Sequence, residues 1–384
     1  MDQPYYSTLM DAVADLPDPR QARGKRHPWA LLLTLIAAAL VCGQSSGRAI
    51  GQWVIEHRLD LKTQLPFPNR PLPSTSTLRR ALQTLDIELL ERRIAHFVAS
   101  LDQLSPTVPT AGSWHGQAVD GKAVRGANRH GAKLHLVSLV RHESARVRKQ
   151  VRVSEKSNEI TAVPALLAGL DLAGTVTTMD SMLCQQAIAR QILMQQGQYL
   201  MVVKDNQPAL FDAIELVFRC PPPEEEGDHL QSAMTIGKGH GRLETRTLDR
   251  TAALRGYVRW PGVGQVLRRT CERLEMTTGE LSREVTYGVT SLRPEEASAE
   301  EIESLWRGHW GIENKVHYVR DETMGEDRGQ MRRGQAPQAL AALRNGILSL
   351  LRSQGVSRIA DALRHHGASV EDALAFVGVP SVPL

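Results

Sequence analysis

Between residues 117 and 203 apolar runs and helical stretches follow one another in the order strand, strand, strand, helix, strand, helix, strand. The strand runs are 117–120, which Gly121-Lys122 closes abruptly, then 133–140, 150–153, 175–179 and 199–203. The helical stretches are 160–170 and 184–196. Few topologies accept that order. Strands joined through helices pair in parallel and the leading strands add antiparallel pairs, so the expectation is an α/β unit on a mixed sheet. Two of its strands end in an acid, Asp120 and Asp180.

A second constraint comes late. Ser298 with Glu301 three positions on reads as a capping box that starts a helix. At helical period Trp306, His309, Glu313, His317 and Arg320 then share one face. A core face would be aliphatic, and a surface face would scatter its charge. Gly308 and Gly311 each cost roughly 1 kcal/mol in a helix interior, which implies that something packs or binds close to the backbone there.

The flanks suggest further units. Residues 1–105 read as a helical, DNA-binding domain. Asp18-Pro19-Arg20 breaks its first helix, a basic loop follows (Arg23, Lys25, Arg26, His27), and residues 28–42 form a buried helix opened by proline. Residues 73–77 cap a helix whose early Arg79 and Arg80 suit contact with DNA in helix-turn-helix fashion; the alternative is a small bundle with solvated arginines. A core spans 112–211, followed by a β-rich insertion over 212–283 with a solvated linker at 221–227 and a Trp260-Pro-Gly turn. The core resumes over 284–355 with a last strand, the late helix and another at 336–351 bearing Arg344; the tail 356–384 carries no functional signal.

Composition narrows the function classes only a little. A formal charge of +4 does not by itself establish a nucleic-acid partner. Cys42, Cys184, Cys220 and Cys271 lie far apart without a CxxC spacing, which argues against a disulfide frame or a zinc site and for a cytoplasmic protein. The longest apolar run, 29–42, is too short to span a bilayer, and no membrane partner is expected.

Asp120, Asp180 and Glu313 are the acids that strand ends and a packed helix can bring together. Converging carboxylates repel unless cations separate them. Hard oxygen donors of this kind suit Mg²⁺ or Mn²⁺, and two such ions stabilise both the attacking and the leaving oxygen of a phosphodiester displacement. Lys122, Arg125, Lys204 and Arg320 beside the acids would meet a polyanion, and Asn206 and Gln207 add a polar turn near Asp180. His309, Glu313 and His317 at four-residue intervals lack the further ligand that zinc would need. Trp260 either stacks on a base or packs its own turn, and packing is preferred.

The segments 118–126 (AVDGKAVRG), 178–180 (TMD), 204–207 (KDNQ), 240–246 (HGRLETR) and 309–314 (HWGIEN) resemble, in order, those of bacterial insertion-sequence transposases. The likeness is to the ISAs-type, or H-repeat-associated, family of DDE transposases, and it extends to Asp18-Pro-Arg20 and residues 73–77. It implies a ribonuclease H-like catalytic core interrupted by a β-rich insertion, two divalent ions, and cleavage and strand transfer of double-stranded DNA at element ends and target. It also implies a homodimer holding paired ends in a bacterial cytoplasm, at the nucleoid. Asp120, Asp180 and Glu313 become the acidic triad, and Arg242, inside the fourth segment, a DNA contact. Related transposases carry Tyr, Arg, Glu and Lys around the last acid, where this chain has Trp306, His309, Glu313 and Arg320. His309 would contact phosphate only as a cation. Asp321, Glu322, Glu326 and Asp327 stand as alternative third ligands. A nuclease that never rejoins, and an inactive relic that only binds DNA, are the rival functions.

Overall fold

Apolar helices from both ends of the chain close on one another. The structure, a computed structural model, describes the chain apart from residues 1–4, 22–24, 66–70, 110, 130–131, 155–156, 222–229, 240 and 381–384. Arg23 of the basic loop, nearly all of the 221–227 linker and His240 therefore lie outside the described residues. The amino-terminal helices are α1 (Leu9–Ala14), α2 (Trp29–Val41), α3 (Gly47–Glu56), α4 (Arg58–Gln64), α5 (Thr75–Thr84) and α6 (Ile87–Leu104). Helix α2 begins right after Pro28 and is buried along almost its whole length. Ser74 caps α5 by accepting from the Thr77 amide at 3.3 Å, and Arg79 and Arg80 on that helix are exposed.

The sheet follows. Its elements are β1 (His115–Arg129), β2 (Ala132–Arg141), β3 (Val147–Arg152), α7 (Glu159–Leu167), β4 (Thr175–Met179), α8 (Gln186–Met194) and β5 (Gln198–Val203), in the order expected. Helix α9 (Pro208–Arg219) leads to β6 (Gln231–Gly239), β7 (Arg242–Thr251), β8 (Gln265–Glu275) and β9 (Leu281–Thr290). Among the described residues these strands form one sheet in the order β3-β2-β1-β4-β5-β9-β8-β7-β6. Strands β1, β4 and β5 run parallel and the other pairs antiparallel. The architecture is mixed α/β on a large mixed sheet, and the late strands extend that sheet through the β5–β9 pair.

Gly121-Lys122 does not end the first strand. β1 leaves β4 after Val119 but stays paired with β2 through Val124 opposite Leu134. A glycine suits this point for a packing reason: a Cβ on Gly121 would stand 2.1 Å from the Glu159 carboxylate.

Helix α10 (Ala299–His309) starts at the expected capping box, Ser298 and Glu301 each bonding the other's backbone. The chain then widens into π-helical turns over Glu313–His317 and Val319–Thr323. It closes with α11 (Ala336–Ser353), α12 (Ile359–Ala368) and α13 (Val370–Val377). One apolar core holds Leu35, Ile36, Phe97 and Val98 from the amino-terminal helices together with Leu343, Ile347, Leu374 and Val377 from the carboxy-terminal ones. The tail, silent as sequence, is thus part of the amino-terminal core.

Candidate active site

Val119 is the last β1 residue paired with β4, and it lies opposite Met179. The next residue along the chain in each case is an aspartate. Asp120 and Asp180 therefore stand next to one another where the β1–β4 pairing ends. Asp180 also caps its own turn, accepting from the Leu183 amide at 3.2 Å. Asn206 and Gln207 clamp that turn: Asn206 Nδ2 donates to the Ser181 carbonyl at 2.7 Å and Gln207 Nε2 to the Cys184 carbonyl at 2.9 Å. Their amides are occupied in holding the loop that carries Asp180, while Lys204 is exposed.

Helix α10 is fixed across the sheet by three contacts. Trp306 lies against Gly288, where a Cβ would come within 2.7 Å of its ring. Buried Glu303 accepts two bonds from Arg269 at 2.9 and 2.8 Å. Gly308 lies on the His142 ring, and a Cβ there would stand 2.2 Å from its Nδ1. The close approach expected at Gly308 is thus the imidazole of a buried histidine. Gly311 has no comparable neighbour, the nearest atom being Lys315 Cδ at 3.9 Å.

The widened turns after α10 change which residues face the acids. A π-helix closes its ring at i+5, so the uniform helical face expected through Arg320 is broken. His317 Nδ1 lies 3.4 Å from Asp120 Oδ2, whereas Arg320 turns inward. Glu313 is exposed at the start of this segment. His309 ties the three acids together: burial lowers its pKa, while Asp120, Asp180 and Glu313 all pull it upward. One ring therefore lies in the field of all three carboxylates.

A fourth carboxylate escaped the sequence reading. Glu159, in the first turn of α7, sets its Oε1 2.6 Å from His135 Nε2. Burial raises its pKa, His135 opposes this, and Asp120 and Asp180 raise it further. The one signal for it was Gly121, beside the first acid and forbidden a side chain by that very carboxylate.

Two expected DNA contacts are corrected. Arg320 is fully buried, and its Nη2 donates to Glu326 Oε2 at 2.8 Å and its Nη1 to Asn345 Oδ1 at 3.1 Å. Lys122 is buried and ion-paired with Asp321, with Glu326 and Asp327 each 3.9 Å away. Each needs a carboxylate because an unpaired buried cation costs too much. The same network engages the four alternative acids. Glu326 faces Arg320 and Arg344, Asp321 and Asp327 face Lys122, and Glu322 pairs with Arg328 at 2.9 Å. Arg125 is exposed, 3.8 Å from Asp327, and exposed Arg242 bonds Glu275 at 2.8 Å. Trp260 is buried in the core beneath its turn.

Among the described residues no group of three or more His, Cys, Asp or Glu side chains is drawn together tightly enough to hold a metal ion. The donor set nonetheless has the right chemistry for a hard divalent cation. Asp120 and Asp180 are half-buried and Glu313 is exposed, and among the described residues no lysine or arginine pairs with any of them. Among the described residues no helix is long and apolar enough to cross a membrane.

Residues 103–350 match the family described as "Transposase DDE domain", and residues 10–98 match the family described as "DDE_Tnp_1-associated". "Putative transposase YncI" of Escherichia coli O157:H7 is 30% identical over 90% of this chain and 87% of its own length. "H repeat-associated putative transposase YhhI" of Escherichia coli (strain K12) is 28% identical over 91% of each.

Proposed function

The chain belongs to the DDE transposase family, and we propose that it binds the ends of an insertion sequence, cuts the phosphodiester there and joins the freed 3′-hydroxyl to target DNA. The observation that carries this reading is the β1–β4 register, which brings Asp120 and Asp180 out together beneath the helix that bears Glu313. Order β3-β2-β1-β4-β5, with its antiparallel leading strands and parallel followers, supports a ribonuclease H-like core.

Asp120, Asp180 and Glu313 are the residues that would hold two Mg²⁺ or Mn²⁺ ions. Bound there, the ions supply charge to the attacking and leaving oxygens of an in-line displacement. The chain's own part is positional. Asn206 and Gln207 keep the Asp180 turn closed, His317 lies against Asp120, and α10 sets the distance between Glu313 and the strands. Exposed Arg79, Arg80, Arg125, Lys204 and Arg242 are the candidates for phosphate contact, and the paired DNA ends would be held by a homodimer.

The test is cleavage of labelled end DNA in Mg²⁺ and Mn²⁺, with binding measured in Ca²⁺. Asp120→Asn, Asp180→Asn and Glu313→Gln should each lose cleavage and joining while still shifting DNA. Cutting of end DNA without joining of a pre-cut end would favour the plain nuclease. Binding with equal inertness of parent and variants would favour the relic.

A further inference from the structure

Thr178, the penultimate residue of β4, carries a hydroxyl with three partners. Its Oγ1 is 3.2 Å from the Gln117 carbonyl, 3.0 Å from His142 Nε2 and 3.0 Å from His309 Nδ1. A hydroxyl has one hydrogen to give and two lone pairs to receive with. The carbonyl can only accept, so the hydroxyl proton goes to Gln117. Both imidazoles must then donate to Thr178.

From this arrangement we propose that His142 and Thr178 are positioning residues that hold His309 as its neutral Nδ1–H tautomer, leaving Nε2 as a hydrogen-bond acceptor that orients water at the acids. The inference rests on the transposase reading of the same site.

The far end of the chain of bonds agrees. Among the described residues His142 Nδ1 is buried without a partner. Gly116 and Gly308 wall it in, a Cβ on either standing 2.1 or 2.2 Å from that nitrogen. An orphan acceptor is tolerated there more readily than an orphan N–H, which again puts the His142 proton on Nε2. Burial, with His309 and Lys315 adding to it, pushes the His142 pKa down to about 3, so the ring stays neutral.

At the near end, burial also lowers the His309 pKa, against the pull of Asp120, Asp180 and Glu313. With Nδ1 protonated and the ring neutral, Nε2 presents a lone pair, and among the described residues no hydrogen bond to it occurs. A phosphodiester at neutral pH has no proton to offer such a nitrogen. Water does. The expectation that His309 contacts phosphate as a cation is therefore replaced by contact with an O–H donor.

The experiment uses the full chain with ¹⁵N-labelled histidine, the His309 signal being assigned by its loss in His309→Gln. Long-range ¹⁵N–¹H correlation at pH 7 should show the Nδ1–H tautomer for His309 and the Nε2–H tautomer for His142. Thr178→Val, nearly isosteric, should blur the His309 tautomer and lower cleavage by about 10- to 100-fold, as loss of an outer-shell partner does. DNA binding should change little, the melting temperature should fall because two buried N–H groups lose their acceptor, and Thr178→Ser should restore tautomer, rate and stability. An imidazolium or an Nε2–H tautomer at His309 in the parent protein overturns the proposal, as does a Thr178→Val variant with parental tautomer and rate. These spectra do not depend on turnover. Were Asp120→Asn to cut DNA normally, the transposase assignment would fall while the tautomer result stood.

Discussion

His317 sets its Nδ1 3.4 Å from Asp120 Oδ2, on a ring that is itself buried. Asp120 is half-exposed at the point where β1 leaves β4, and the buried ring beside it restricts where its carboxylate can point. Replacing His317 with Ala should lower cleavage by about 10- to 100-fold and leave DNA affinity in Ca²⁺ unchanged. His317→Gln, which keeps a donor near the carboxylate, should recover part of the rate. Parental single-turnover kinetics in the Ala variant would show that Asp120 needs no such support.

Glu326 should behave unlike the proposed metal ligands Asp120, Asp180 and Glu313. Burial alone would raise its pKa, but Arg320 and Arg344 outweigh that and hold it below the usual carboxylate range. A depressed carboxylate stabilises the fold above its unfolded value near 4.5, and that stability is lost as pH falls through the lower folded value. Glu326→Gln leaves two buried guanidinium groups without their counter-charge, at a cost of about 3–5 kcal/mol. The variant should therefore melt well below the parent at pH 7, and the difference should shrink on acidification below about pH 4. Denaturant midpoints across pH 3–7 measure it, and a gap independent of pH would refute the linkage.

Two glycines of the late helical segment should respond in opposite directions. Gly308→Ala gains roughly 1 kcal/mol of helix propensity but drives a methyl into the ring of His142, an overpacking cost of typically 1–3 kcal/mol. The net effect should be destabilising, with loss of cleavage because the ring also bonds Thr178. Gly311→Ala meets nothing nearer than 3.9 Å and should stabilise the chain by up to about 1 kcal/mol. Paired thermal melts decide both.

The basic residues should split into two sets. Arg79→Ala with Arg80→Ala should weaken end binding and flatten its salt dependence, each lost phosphate contact removing roughly 0.9 of a released counterion. Lys122→Ala and Arg320→Ala should chiefly lower the melting temperature, since both cations are buried against carboxylates. An unchanged salt slope in the Arg79 and Arg80 variant would remove α5 from the DNA interface.

The succession of strands and helices along the chain and the capped start of α10 were legible in the sequence, because each depends on local pattern, while Gly308 signalled a close approach without its partner. What failed was whatever depended on a partner far along the chain. Arg320 and Lys122 carry the same charge whether they meet phosphate or Glu326 and Asp321, and only burial tells the two apart. The helical face drawn through Arg320 assumed 3.6 residues per turn, and the π-helical turns after Glu313 break that count. His142 and Glu159 were missed because their signal was displaced onto glycines: Gly116 and Gly308 for the one, Gly121 for the other.

The core shared by α1–α6 and α11–α13 has a meaning in time. Ribosomes release residues in order, and ~230 residues separate the end of α6 at Leu104 from the start of α11 at Ala336. At about 5–20 residues per second the first six helices wait on the order of ten to fifty seconds for the side chains that complete their interior. Before then α5 has no finished scaffold on which to present Arg79 and Arg80. Ribosomes stalled before α11 should therefore yield fragments that chaperones hold or proteases clear, because their apolar interior is incomplete.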